Sequence, residues 1–199
     1  MDAAEWDERY RASELVWSAG PNQFVEAELA DLPPGRALDL AAGEGRNAIW
    51  LARQGWRVTA VDFSQAGLDK GRILADGLDI EWVCADATTW SAEPSYDVCL
   101  VAYLQLVAAE RRAAVRNGYA ALRPGGTFLL VAHDSTNLTE GTGGPQDPSV
   151  LMTAEDVIAD LGGETFEVQR AGRAERAVPQ PDGSTATAYD AVVRLVRRK

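Results

Sequence analysis

Between Arg36 and Ala52 an apolar run, Ala37-Leu38-Asp39-Leu40, passes through Ala41-Ala42-Gly43-Glu44-Gly45 into a helix-patterned segment, Asn47-Ala48-Ile49-Trp50-Leu51-Ala52. A strand must therefore turn sharply into a helix within a few residues. Gly43 and Gly45 lack a Cβ, so the backbone can take positive φ there and a bound molecule can lie against bare peptide groups. Such a turn is a ligand loop, and the rest of the chain reads as a scaffold for it.

The helix after the loop spans about 45–54 and ends at Gly55, and Trp56 to Asp62 reads as a second strand, completing a β-α-β unit. Ser64 is placed to cap a helix over 65–75, and Ile80 to Cys84 reads as a third strand ending before Asp86. Tyr96 to Ala102 is almost continuously apolar, as a central strand buried on both faces of a parallel sheet would be. A helix over 110–122, a Pro124-Gly125-Gly126 turn and a fifth strand over 127–132 follow. This alternation predicts an α/β fold with a doubly wound, mostly parallel, Rossmann-like sheet.

Ahead of the sheet, 1–34 reads as a helical cap, with a helix over 23–32 stopped by Pro33-Pro34-Gly35. The glycine- and proline-rich segment 134–152 is expected to be a long loop on the ligand edge, able to close over a site. Thr153 is placed to cap a short helix with Asp156 at its third position. Strands over 165–169 and 187–196, joined by a turn at 179–183 with no helix between them, predict a C-terminal antiparallel edge hairpin and a seven-stranded sheet. The whole chain, 1–199, is expected to form one domain.

The charge of −11 and a pI near 4.6 oppose binding to nucleic acid. The terminal Arg194, Arg197, Arg198 and Lys199 read as a solvated strand end. Cys84 and Cys99 lie in apolar runs without metal-ligand spacing, which predicts two buried thiols and no metal. No apolar leader or bilayer-length run is present, so no membrane partner and a cytoplasmic location are expected.

Two nucleotide ligands suit the loop. A dinucleotide would place its pyrophosphate on the helix N-terminus, with Ala48 at the third glycine position and Asp62 on the ribose, as in a nicotinamide-dependent oxidoreductase. The wider pattern points elsewhere. Asp39 stands ahead of Gly43 and Gly45, Asp62-Phe63 ends strand two, Asp86-Ala87 ends strand three, Asp97 opens strand four, and Leu122-Arg123-Pro124-Gly125-Gly126 precedes strand five. That set resembles the class I S-adenosylmethionine-dependent methyltransferases. Trp6-Asp7, Tyr10, Pro21-Asn22 and Gly45-Arg46-Asn47-Ala48 further resemble their tellurite-resistance and thiopurine methyltransferase-like group, which methylates small nucleophiles.

The resemblance implies S-adenosylmethionine as cofactor. It would be held by Asp39, Ala41, Gly43, Gly45, Arg46 and Asn47 of the loop, and by Asp62 on the ribose hydroxyls. Phe63 would pack on adenine, Asp86 and Ala87 would meet the adenine amino group, and Ala102 and Trp17 would complete the set. Ala41 replaces the first loop glycine, so its methyl group must be accommodated near the methionine end. Asp39 reads as structural, accepting loop N–H groups, rather than as a contact to substrate.

A small-molecule acceptor is implied, attacking through sulfur, oxygen, nitrogen or another chalcogen by in-line displacement. His133 is placed either to take its proton or to position a loop or substrate. Tyr103 and Gln105 stand where the family contacts the acceptor, with packing as the alternative, and Tyr10 with Trp17 could form a lid. The chain would act as a monomer or homodimer. A module that binds the cofactor without turnover is a further alternative.

Overall fold

The computed structural model describes residues 2–13, 15–16 and 20–199. Strands β1 (Arg36–Leu40), β2 (Arg57–Asp62), β3 (Ile80–Cys84), β4 (Tyr96–Ala102), β5 (Leu122–His133), β6 (Phe166–Pro179) and β7 (Thr185–Arg197) form one sheet. Their order is β3-β2-β1-β4-β5-β7-β6. Strands β1 to β5 run parallel, and β7 enters antiparallel between β5 and β6. The doubly wound sheet and its antiparallel hairpin are thus as the sequence predicts, except that only β6 forms the edge.

Side-chain alternation divides the core. Leu38 and Leu40 of β1 pack with α5 (Ala108–Ala120) and α7 (Ala154–Asp160), whereas Ala37 packs with α2 (Gln23–Leu29) and α3 (Arg46–Arg53) on the other face. Asp39 shares the face of Ala37. Helix α4 (Gln65–Ala75) is capped by Ser64, and α7 by the Thr153–Asp156 box, both as the sequence indicates. Helix α1 (Ala3–Ala12) lies against α4. Asp160 of α7 is buried, with one oxygen 2.6 Å from Arg111 and the other 3.3 Å from Arg112. This pair fastens α7 to α5.

Several expectations need correction. Strand β6 does not stop at Gln169 but runs to Pro179, because β7 supplies cross-strand partners along its whole length. Local β propensity in Arg170–Val178 is poor; the ladder decides. The segment 134–152 is less open than expected. It holds the short helix α6 (Asn137–Glu140), a 3-10 turn at Pro148–Val150 and a bridge between Asp134 and Met152. Buried Asn137 pins it, donating to the Gly143 carbonyl (2.9 Å) and accepting from the Tyr189 N–H (2.8 Å). Cys84 is exposed and only Cys99 is buried. Arg197 is no mere solvated end: it donates to the carbonyls of Ala120 and Leu122 and closes the end of α5. Among the described residues no helix is long and apolar enough to cross a membrane.

Candidate active site

Strands β1 and β4 are neighbours whose onward connections leave in opposite directions, which opens a crevice at their carboxyl ends. The loop from β1 to α3 forms its floor. The N–H groups of Ala41 and Ala42 both reach the Val61 carbonyl (2.8 and 3.0 Å), and Ala41, Gly43 and Gly45 take φ of 69°, 57° and 74°. Ala41 therefore occupies the left-handed region with a Cβ, at a cost of roughly 1–2 kcal/mol. Gly45 has a second reason to be glycine: a Cβ there would sit 2.4 Å from the Trp82 ring, which also lies 2.5 Å from a Cβ built on Gly71 of α4. Core packing, and not ligand approach alone, fixes that residue.

The acids flank this loop. Asp39 is fully buried, and among the described residues neither carboxylate oxygen makes a hydrogen bond of ordinary geometry, contrary to the idea that it accepts from the loop; the Ala48 N–H and the Arg46 charge only approach it. Burial pushes its pKa up to about 7; the Ala48 N–H opposes this and the nearby Asp62 charge adds to it. Asp62 at the tip of β2 accepts from the N–H of Gly43 through one oxygen and of Ser64 through the other, both at 2.8 Å. Burial raises its pKa against those two bonds.

The β3 tip stands beside Asp62, since Asp62 pairs with Cys84 and its carbonyl accepts from Ala85. Phe63 is half-buried there. Asp86 is exposed and turns one oxygen onto the N–H and hydroxyl of Thr88, both at 2.8 Å. Ala87 is buried, its carbonyl accepting from Asn117. The two acids thus end adjacent strands, each carboxylate engaged by its own turn.

The N-terminal residues are tied onto this edge. Asp7 of α1 accepts from the Ser64 hydroxyl (2.5 Å) and the Ala66 N–H (3.1 Å). Tyr10 is buried, stacked with Trp6 at 5.5 Å and packed against Gly67, so it belongs to the α1–α4 contact and not to a lid. Buried Glu44 holds Lys70 at 2.7 Å and accepts the Val16 N–H at 3.1 Å. Arg46 opens α3, half-buried. Asn47 accepts from the Asn22 N–H (2.9 Å), and Asn22 in turn donates to the Tyr103 hydroxyl (3.2 Å). Asn47 therefore links α3 to α2. Trp17 lies outside the described residues.

Across the crevice, Ala102 ends β4 and Tyr103 follows at φ 56°, a left-handed conformation that bulky residues rarely hold. The Tyr103 ring lies 4.8 Å from that of His133 at the end of β5. Gln105 accepts from the His133 N–H (3.2 Å) and donates to the Val150 carbonyl (2.8 Å). Behind them stands a residue that sequence reading missed. Asp190 of β7 is fully buried, 2.7 Å from Arg176 Nε and 3.3 Å from His133 Nδ1. Burial pushes its carboxyl up, but His133 and Arg176 outweigh this and hold it low. Burial, and then the Asp190 charge, push the Tyr103 phenol up to about 12. A single acid inside the apolar run Tyr189–Val193 was the available signal.

Residues 37–126 match the family model for a methyltransferase domain. Over 127 residues the chain is 36% identical to the demethylmenaquinone methyltransferase of Clavibacter sepedonicus, an alignment covering 61% of this chain and 52% of that protein. The chain spans about half the length of the curated relatives it matches. The N-methyltransferase NodS from Bradyrhizobium japonicum WM9, solved with S-adenosyl-L-homocysteine, shares the fold at TM-score 0.74 and 18% identity, with 100% of each chain covered. TehB from Haemophilus influenzae does so at TM-score 0.73 and 19% identity, over 99% of this chain and 67% of that one. Residues 37–126, which hold the acid-flanked glycine turn, thus match a methyltransferase domain, and the chain as a whole shares the fold of NodS and TehB.

Proposed function

We propose that the chain transfers the methyl group of S-adenosylmethionine to a small-molecule nucleophile. The observation that carries this reading is the buried Asp39 carboxylate at the foot of the loop, without a hydrogen bond of ordinary geometry among the described residues, with Asp62 beside it and only the Arg46 charge and the Ala48 N–H near it. Such a site suits a ligand with positive charges, as the sulfonium and ammonium of S-adenosylmethionine are, and opposes the pyrophosphate of a nicotinamide dinucleotide. Asp62 spends one acceptor site per oxygen on Gly43 and Ser64 and keeps others for ribose hydroxyls. Ala41, Gly43 and Arg46 would border the methionine part, Phe63 and Asp86 the adenine, and Ala102 the passage to the acceptor.

The bound cofactor supplies an already activated methyl group, so the chain's own task is alignment and exclusion of water, worth several kcal/mol. Tyr103 and His133 border the acceptor, with His133 as the base. Gly144 covers His133: a Cβ there would come within 3.0 Å of its Nδ1. The rest of the reading is a cytoplasmic monomer or homodimer with no nucleic-acid partner, the last point being supported by the acidic charge of −11.

Calorimetric titration with S-adenosylhomocysteine and with NADH tests this, the former alone being expected to bind. Asp62→Ala should lower that affinity at least ~10-fold, since hydrogen bonds to a charged group contribute about 1.5–3 kcal/mol each. Asp62→Asn, which retains one acceptor oxygen, should fall in between. Tight NADH binding, or unchanged affinity in both variants, would remove the basis of the proposal.

A further inference from the structure

We infer that Asp190 is a positioning residue that holds His133 as its Nδ1–H tautomer, leaving Nε2 as the base for an acceptor whose attacking oxygen or nitrogen carries a proton. This rests on the methyl-transfer reading above and narrows its substrate class. The placement follows from register. His133 and Asp190 are directly opposed in the β5–β7 ladder, so their side chains rise on the same face. Ala174 opposes Asp190 in the β6–β7 ladder, which puts Arg176 on that face one step along the strand.

The carboxylate therefore has a cation on one oxygen and an imidazole on the other. Arg176 Nε lies 2.7 Å from Oδ2, and His133 Nδ1 lies 3.3 Å from Oδ1. The latter contact is off the line of a hydrogen bond, and both atoms are otherwise unpartnered among the described residues. A ring setting that brings Nδ1 into line with Oδ1 would satisfy both, and only if Nδ1 carries the hydrogen, because a carboxylate can only accept. Tyr103 on one side and Gly144 on another limit the ring's other settings.

A soft anion would attack a sulfonium methyl unaided and would leave this arrangement without a task. For a hydroxyl, phenol or N–H acceptor the balance closes. The acceptor's bond to hydrogen breaks and the proton bonds to His133 Nε2. The electron pair of the acceptor forms the new bond to carbon, and the electrons of the carbon–sulfur bond stay on sulfur. Asp190 then faces an imidazolium, and Arg176 keeps that carboxylate ionised.

His133 is the only histidine in the chain, so its ring nitrogens are read without assignment. In a long-range proton–nitrogen spectrum of the neutral imidazole, wild type should show a protonated Nδ1 and a bare Nε2. The paired variant Arg176→Leu/Asp190→Leu removes both charges together, which avoids stranding one of them, and should revert to a protonated Nε2. A protonated Nε2 in wild type, or the same Nδ1–H pattern in the variant, overturns the inference. S-adenosylhomocysteine titrated into the same samples reports separately: failure to bind wild type defeats the methyl-transfer reading, whereas the tautomer result speaks to Asp190.

Discussion

On the β1–β3 side of the crevice, the groups assigned to the cofactor come from tips and turns close together in the chain. Asp39, Ala41, Gly43, Gly45 and Asp62 lie within one β-α-β unit, where the Ala41 N–H reaches the Val61 carbonyl and the Gly43 N–H the Asp62 carboxylate. On the β5–β7 side, His133, Arg176 and Asp190 meet only because two antiparallel ladders bring them side by side. The matched methyltransferase domain covers the first group and ends at residue 126, short of the second. The cofactor half is thus a local turn inside the matched domain, whereas the acceptor half is a long-range construction outside it. Changes on one side should leave the other largely undisturbed.

The largest expected effect lies at Asp39. Its pKa of about 7 stands above the ordinary 3.8, so the folded state holds its proton more tightly. Between roughly pH 4 and pH 7 stability should therefore fall as pH rises, by about 4 kcal/mol at 1.36 kcal/mol per unit. Asp39→Asn should remove most of that fall, leaving the part due to Asp62, whose carboxyl burial also raises. Denaturant melts of both proteins across this range isolate it, because Asp97 and Asp190, held low despite their burial, shape the acid limb equally in each. A constant difference between the two proteins would mean that Asp39 is not a buried, uncompensated acid.

Next comes Gly45→Ala, which combines positive φ with a collision against Trp82 and should cost about 3 kcal/mol in chemical denaturation. Trp82→Leu in the same background should recover part of that loss; no recovery would mean that packing is not what keeps residue 45 glycine. Ala41→Gly should do the opposite of Gly45→Ala and stabilise by about 1 kcal/mol, since Ala41 holds φ 69° against its Cβ. The smallest expected effect sharpens the contrast most. His133→Ala should leave S-adenosylhomocysteine affinity within about two-fold, since it reaches the loop only through the Tyr103–Asn22–Asn47 contacts. A large loss would mean that the two halves are one.

Much of this arrangement was legible in the chain. The strand-to-helix turn, the alternation that follows, the acids at the tips of β2 and β3 and the caps at Ser64 and Thr153 are local features, and each fell where residue type required it. The misses share a cause. Arg170–Val178 lacks the residues of a strand and becomes one through its ladder with β7, and Asn137 ties down a segment whose glycines read as open loop. Gly45 looked like a ligand contact and Tyr10 like part of a lid or of the core, yet Tyr10 packs between α1 and α4 and a Cβ on Gly45 would strike Trp82. In both cases a neighbour distant in sequence decides.

By itself the sequence determined the parallel sheet, the turn that floors the crevice and the kind of ligand its acids suit. Periodicity, missing side chains and charge act over a few residues, and any reader of the chain can weigh them. Only the tertiary structure decided that Asp190 stands behind His133 and that Asp39 is buried without a hydrogen bond of ordinary geometry among the described residues. Strand register and burial are properties of elements brought together from opposite ends of the chain, and no short stretch contains them.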